Sequence, residues 1–246
     1  MQIKNKIIFI FLSFLFSLNS IVYADEFDIS ANEISVNTEK NVLTGLGAVE
    51  IRDKEGKLIK ANKVIYNKSK EFITAEGSVE VIDTFGNILK SNKVTYDKIN
   101  EIISSFENSE LDLKEGYNLK AKNIIYNSAK KTLSSNNESF LTDIDGNYIM
   151  LSMFQYSIEK NLLSSLGKIK IIDKNKNKYF FKELHVDMLT KEMVGSDVSI
   201  LFDQENFGLK KDNDPRLVAN DISITKNKAL LSKGVFTVCQ KREDKC

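Results

Sequence analysis

Tyr66, Tyr96, Tyr126 and Tyr156 stand thirty residues apart, and the column they form extends upstream to Val36 and downstream to Val186. Two positions earlier runs a second apolar column of Ile34, Val64, Val94, Ile124, Phe154 and Leu184, while Gly56, Gly86, Gly116 and Gly146 keep the same period. A fixed period sustained over six units predicts a stacked array of one supersecondary unit. Arrays of this kind present extended surfaces or grooves rather than compact catalytic centres.

Residues 57–86 show the content of one unit. Val64 and Tyr66 alternate with Lys63, Ile65 and Asn67, a period of two that marks a strand with one apolar face. The polar stretch 67–71 reads as a turn, Ile73, Val79 and Val81 carry a returning strand, and Asp83 to Gly86 closes the unit with a second turn. Short polar turns join antiparallel neighbours, so successive strands form a meander. The returning strand contributes two more columns: Leu43, Ile73, Ile103, Leu133, Leu163, Met193, and Ile51, Val81, Leu111, Leu141, Ile171, Leu201. The intervening position varies freely (Ile65, Thr95, Ile125, Gln155, His185), as expected of residues facing water. Between Ala61 and Val64 the apolar phase slips by one, and the slip recurs at 91–94 and 121–124. A recurring slip predicts a bulge or bend in each strand, which in register folds the sheet along one line into a trough lined by the apolar columns.

The period breaks once. Ala31 to Val36 returns as Ala219 to Ile224, an offset of eight beyond the repeat, and the extra residues fall around 210–217 with the chain's single proline, Pro215. This segment reads as a tolerated surface loop.

Residues 1–24 read as a secretory leader: Lys4 and Lys6, an apolar run over 7–18, and a cleavage-like Val22-Tyr23-Ala24. The β domain is then expected over 25–238 as about seven repeats, with a cysteine-containing tail over 239–246. Cys239 and Cys246 could close a local disulfide, stay as thiols, or tie the tail to another segment, and the sequence leaves these alternatives open. The chain holds 35 Lys and Arg against 34 Asp and Glu, so charge supplies no reason to bind nucleic acid. One histidine, His185, excludes multi-histidine metal sites and His-based triads, and its place in the outward column predicts a solvated side chain. No phosphate-binding glycine pattern and no inward pair of carboxylates is present. The expectation is a non-enzyme without cofactor or metal. The tyrosine column reads as strand core with hydroxyls at the rim rather than as a base-stacking platform.

The recurring Ala-Asn-Lys-Val-x-Tyr … Ala-x-Gly-x-Val-x-Val resembles the OstA-like repeat of lipopolysaccharide-transport proteins, over nearly all of residues 28–238. The run Asp214-Pro215-Arg216-Leu217 … Lys233-Gly234-Val235-Phe236-Thr237-Val238-Cys239 is similar to the end of the periplasmic region of the outer-membrane assembly protein of that pathway (LptD), and the repeats also resemble its periplasmic bridge protein (LptA). The resemblance implies an all-β, repeat-built antiparallel β-roll or β-jellyroll, shaped like a taco around an open apolar groove. It implies a periplasmic protein associated with the outer membrane, whose partners are lipopolysaccharide, other OstA-like domains joined through open sheet edges, and an outer-membrane barrel. Acyl chains would contact Val64, Tyr66, Val94, Tyr96, Ile124, Tyr126, Phe154 and Tyr156. The competing expectation is a secreted structural or adhesive repeat protein with the same columns packed shut. A parallel β-helix acting on polysaccharide is disfavoured by two turns per thirty residues and the lack of a carboxylate cluster.

Overall fold

The computed structural model describes residues 27–205 and 214–239. The expected leader and Cys246 lie outside the described residues. The described strands form one antiparallel sheet of nineteen, with a 3-10 turn at Lys68–Lys70.

The strands follow the chain as a meander. β3 (Val42–Asp53), β4 (Leu58–Asn67), β5 (Phe72–Ile82) and β6 (Ile88–Asp97) are long and pair in sequence. β13 (Tyr148–Ser157), β14 (Leu162–Ile172), β15 (Lys178–Asp187), β16 (Met193–Leu201) and β17 (Arg216–Thr225) do the same. Between these blocks each strand is present as two pieces: β7 (Ile102–Phe106) with β8 (Ser109–Asp112), β9 (Asn118–Ala121) with β10 (Ile125–Asn127), and β11 (Thr132–Ser135) with β12 (Ser139–Thr142). The sheet's ends are split too. β1 (Phe27–Ser30) and β2 (Glu33–Asn37) both pair with β3, and β18 (Lys228–Ser232) and β19 (Val235–Thr237) both pair with β17.

The sheet folds along one line into two walls. In β4, Ile59 and Ala61 are buried on one side of the line and Val64 and Tyr66 on the other. In β5, Ala75 and Val79 flank it. Register locates the extra residue. Leu46 pairs with Lys63 but Val49 with Ala61, so Gly47 and Ala48 together oppose Asn62. Gly77 and Ser78 repeat this between the Lys63–Glu76 and Lys60–Glu80 pairs. Both residues of each bulge have positive φ, +76° at Gly77 and +48° at Ser78. A Cβ on Gly77 would come within 2.9 Å of the Asn62 side chain, which is why glycine recurs there. The bulge thus lies in the returning strand, not in the strand whose apolar phase slips. Three residues separate Ala75 from Val79, so their parity is unchanged and the alternation conceals the insertion.

Two sequence expectations are corrected. Leu201 does not continue the inner column: it is 39% exposed, while Val198 and Ile200 are buried. β16 pairs across the corner with two residues opposite two, Ser196 to Ser199 against Glu183 to Phe180. Without the extra bulge residue its parity reverses. Pro215 is fully buried rather than on a surface loop, and its carbonyl accepts from the Phe202 amide at 2.9 Å, with β17 beginning one residue later.

The core lies between the walls as one continuous set of buried side chains. At the first end Phe27, on the β1 wall, stands edge-on to Tyr66 at 5.3 Å and to Tyr96 at 6.4 Å on the other. Such contacts add about 0.5–1.5 kcal/mol each beyond the area they bury.

Candidate functional site

The long inner face between the two walls is the one feature repeated in every unit. Strand pleating sends Val64, Val94, Ile124 and Phe154 inward, where they are 0, 1, 2 and 5% exposed. Tyr66 is buried beside them, and Tyr96, Tyr126 and Tyr156 are half-buried nearer the mouth. The alternating positions form a register row of Ile65, Thr74, Thr95, Ser104, Ile125, Ser134, Gln155, Ser164 and His185. His185 is less bare than a solvated histidine. It is half-buried, with Nδ1 2.9 Å from the Ser164 hydroxyl and Nε2 2.9 Å from a Glu183 carboxylate oxygen.

Side chains from the two walls pack against each other along the inner face. A cleft lined by Phe27, Ile51, Ile59, Val81, Tyr96 and Ile103, with Asp53 and Lys57 at its rim, has a volume of about 10 Å³, roughly the room of one water. Its lining is almost wholly apolar. An acyl chain can enter this cleft only if the walls part there.

The mouth is held by side chains. Among the described residues, strand pairing does not join the two lips. At mid-length, Lys191 on one lip donates from Nζ to the Tyr117 hydroxyl on the other, at 2.9 Å, and lies 5.5 Å from its ring centre. Burial pushes the Tyr96 and Tyr156 phenols above their ordinary pKa. Burial, helped by a 2.9 Å hydrogen bond to Asp173, pushes Tyr179 up to about 12. The phenols therefore stay neutral, which suits an apolar mouth. No group of three or more His, Cys, Asp or Glu residues that could hold a metal ion occurs among the described residues.

Successive turns on one lip are stitched by asparagines. The Oδ1 atoms of Asn87, Asn147 and Asn177 accept from the amides of Lys114, Lys174 and Asp203, each in the next turn. Each asparagine is clasped by an aspartate four residues earlier, Asp83, Asp143 or Asp173. The third unit has Leu113 and Tyr117 instead and makes the cross-mouth contact.

Sequence reasoning missed the corner serines. Ser105, Ser109, Ser135, Ser139 and Ser165 are at most 2% exposed, and Ser91 is 7% exposed. Their only signal was polarity in otherwise small apolar columns, Ala75 to Ser105 and Val79 to Ser109.

Both edges of the sheet are open and partly apolar. Ile34 and Val36 on β2 are 46 and 59% exposed, and Leu230 on β18 and Val235 on β19 are 55 and 60% exposed. Cys239 is exposed, and its pairing with Cys246 concerns a residue outside those described.

No family model matches the chain, and no curated protein matches it. Among solved structures, the chain is similar to LptH of Pseudomonas aeruginosa, described as the LptA-homologous periplasmic component of the lipopolysaccharide transport device. The similarity spans 41% of this chain and 75% of that one, at 15% identity and a TM-score of 0.37. The all-β antiparallel architecture rests on the strand register given above.

Proposed function

We propose that this chain is a periplasmic lipopolysaccharide-binding transport module. It shields lipid A acyl chains between its walls and passes them towards the outer membrane, and its role is binding rather than catalysis. The observation that carries this reading is the repetition of the same inward apolar columns between two walls joined along only one line. Each methylene removed from water gains about 0.8 kcal/mol, so a multi-chain lipid needs cover in an aqueous compartment. Columns that repeat unit after unit offer near-equal sites, and a lipid can shift from one to the next without a deep well. Parting the walls exposes apolar surface at roughly 25 cal/mol per Å², and incoming acyl chains cover it again. Open edges at β2 and at β18 and β19 suit strand addition by neighbouring rolls of the same kind, or by an outer-membrane barrel.

A second reading is favoured by one observation, the 10 Å³ volume of the cleft at the first end: a structural or adhesive repeat protein whose walls never part. Photo-crosslinking separates the two. Probes at Val94, Ile124 or Phe154, or at the half-buried Tyr96 and Tyr126, are expected to trap lipopolysaccharide, whereas probes at Thr95 or Ile125 are not. Equal labelling of inner and outer positions refutes the groove. No labelling at any position, with the fold intact, favours the closed core.

A further inference from the structure

The outer face of one wall changes character half-way along the sheet. Register aligns Glu50, Lys60, Glu80, Lys90, Glu110 and Lys120 into one row across six successive strands. Adjacent members approach as ion pairs, Lys60–Glu50 at 3.6 Å and Lys120–Glu110 at 3.1 Å. Alternating charge of this kind solvates a sheet face and matches cross-strand neighbours. The same row then continues as Phe140, Met150, Lys170 and Phe180. The next outward row carries Tyr148 and Ile172 beside Lys178. Phe140 and Tyr148 stack at 5.8 Å, and Tyr148 is 41% exposed.

Across β12 to β15 these two rows hold no carboxylate, and Lys170 and Lys178 make no ion pair among the described residues. The acidic groups of that outer face stand at the corner: Glu138, and Asp197, which Lys182 holds at 3.6 Å.

We propose that this outer face, over the second half of the roll, docks on an anionic lipid surface. The chemistry is that of an interfacial site. Aromatic and aliphatic side chains are interspersed with lysines whose stems lie along apolar surface while the ammonium reaches outward. Anionic headgroups supply the charge that the rows lack. A second copy of the chain fits poorly, because a two-fold contact would set Lys170 and Lys178 against the same two rows of the partner, which offer no carboxylate to pair them. Phe140 and Phe180 lie half-buried in this face rather than standing out as the central anchors that protein interfaces favour. This proposal stands on the outer rows and is independent of the trough.

Vesicle flotation tests it. The wild-type chain is expected to float with vesicles of phosphatidylethanolamine and phosphatidylglycerol and not with phosphatidylcholine alone. Binding to the anionic vesicles should fall severalfold in about 0.5 M salt, where screening is near-complete. Replacing Phe140→Glu together with Phe180→Glu extends the Glu–Lys ladder beside Lys120 and Lys170 and is expected to lower partitioning about tenfold or more. Phe140→Leu with Phe180→Leu should retain most binding, and far-ultraviolet circular dichroism with thermal melting verifies the fold of each variant. Wild type that ignores anionic vesicles overturns the proposal, as does binding unchanged in the folded glutamate variant. So does a vesicle-indifferent wild type that sediments as a dimer and becomes monomeric in that variant, which assigns the face to self-association. Photo-crosslinking at Tyr96 and Tyr126 reports on the trough separately, so either reading can fail alone.

Discussion

In the first two repeats the fold line is a main-chain device, whereas between residues 102 and 142 it is completed by side chains. The early corners are bulges in long, continuous strands, where Gly47-Ala48 and Gly77-Ser78 take positive φ opposite a single residue. In the middle, Glu107 and Asn108 also take positive φ, but the strands stop on either side and hydroxyls carry the bonding across. The Ser105 hydroxyl accepts from the Ile124 amide at 2.9 Å and donates to the Ile124 carbonyl at 3.2 Å. Ser91 donates to the Phe106 carbonyl at 2.7 Å, and Ser139 to that of Asn137 at 2.8 Å. The inner columns keep their period through both regions. The difference teaches that apolar columns define the repeat, and that the corner needs only some means of satisfying its backbone groups.

The largest expected effect tests the constancy of the columns. Ile73→Ala in an early repeat and Ile124→Ala in the middle should each lose about 2–5 kcal/mol in denaturant unfolding. A loss below about 1 kcal/mol at Ile124 alone would mean that the split region is loosely packed, and the comparison would fail. A smaller effect probes the corner chemistry. Ser105→Ala strands the buried Ile124 amide and should cost about 1–3 kcal/mol. Ala75→Ser, at the same place in an early repeat, should also destabilise, because its hydroxyl enters a site that needs none. If both are silent in thermal melts, the two corners do not differ in kind.

Smaller again is the backbone test. Gly77→Ala should cost about 1–2 kcal/mol from its left-handed conformation, with added crowding against Asn62. At the equivalent middle position, Glu107→Gly should gain up to about 1 kcal/mol, since φ is already +64° there.

The smallest concerns pH and the turns. Hydrogen bonds from Asn177 and Tyr179 outweigh the upward pull of burial and hold Asp173 below the ordinary carboxylate range. A carboxylate lowered by folding contributes stability above its unfolded pKa, and the contribution is lost as pH falls through the folded value. Tyr179 runs the other way. Its stabilising effect is complete below the ordinary phenol pKa near 10 and is lost as pH rises through about 12. Asp173→Asn should flatten the acid limb of a stability profile, and Tyr179 should be among the last phenols to appear in an alkaline absorbance titration. Leu113→Asn, in the turn that lacks this clasp, should leave the acid limb unchanged.

The walls were legible because alternation of period two is a direct trace of which face is buried, as Val64, Val94 and Ile124 show. The fold line is legible as a phase slip, yet the slip does not say which strand of each pair holds the extra residue. An insertion that leaves the parity of Ala75 and Val79 unchanged has no signature in periodicity. Leu201 was misplaced for the converse reason, since losing one bulge residue reverses a strand's faces. Pro215 was read as a loop residue because its burial depends on contacts far apart in sequence. The tightness of the interior was also beyond the repeats. Identical columns can line a gap or fill it, and the outcome depends on the angle between the walls. The apolar outer rows escaped because outward positions vary from unit to unit, and only register shows which of them are neighbours.

The meander places its first and last strands on opposite edges of one sheet. A load applied between those edges runs across the strands, not along them. Hydrogen-bonded ladders pulled in that direction open one rung at a time, like a seam being unpicked, so the roll should yield at low force and strand by strand. The inner columns would be shed in the same order, each unit releasing its neighbours without disturbing those further along.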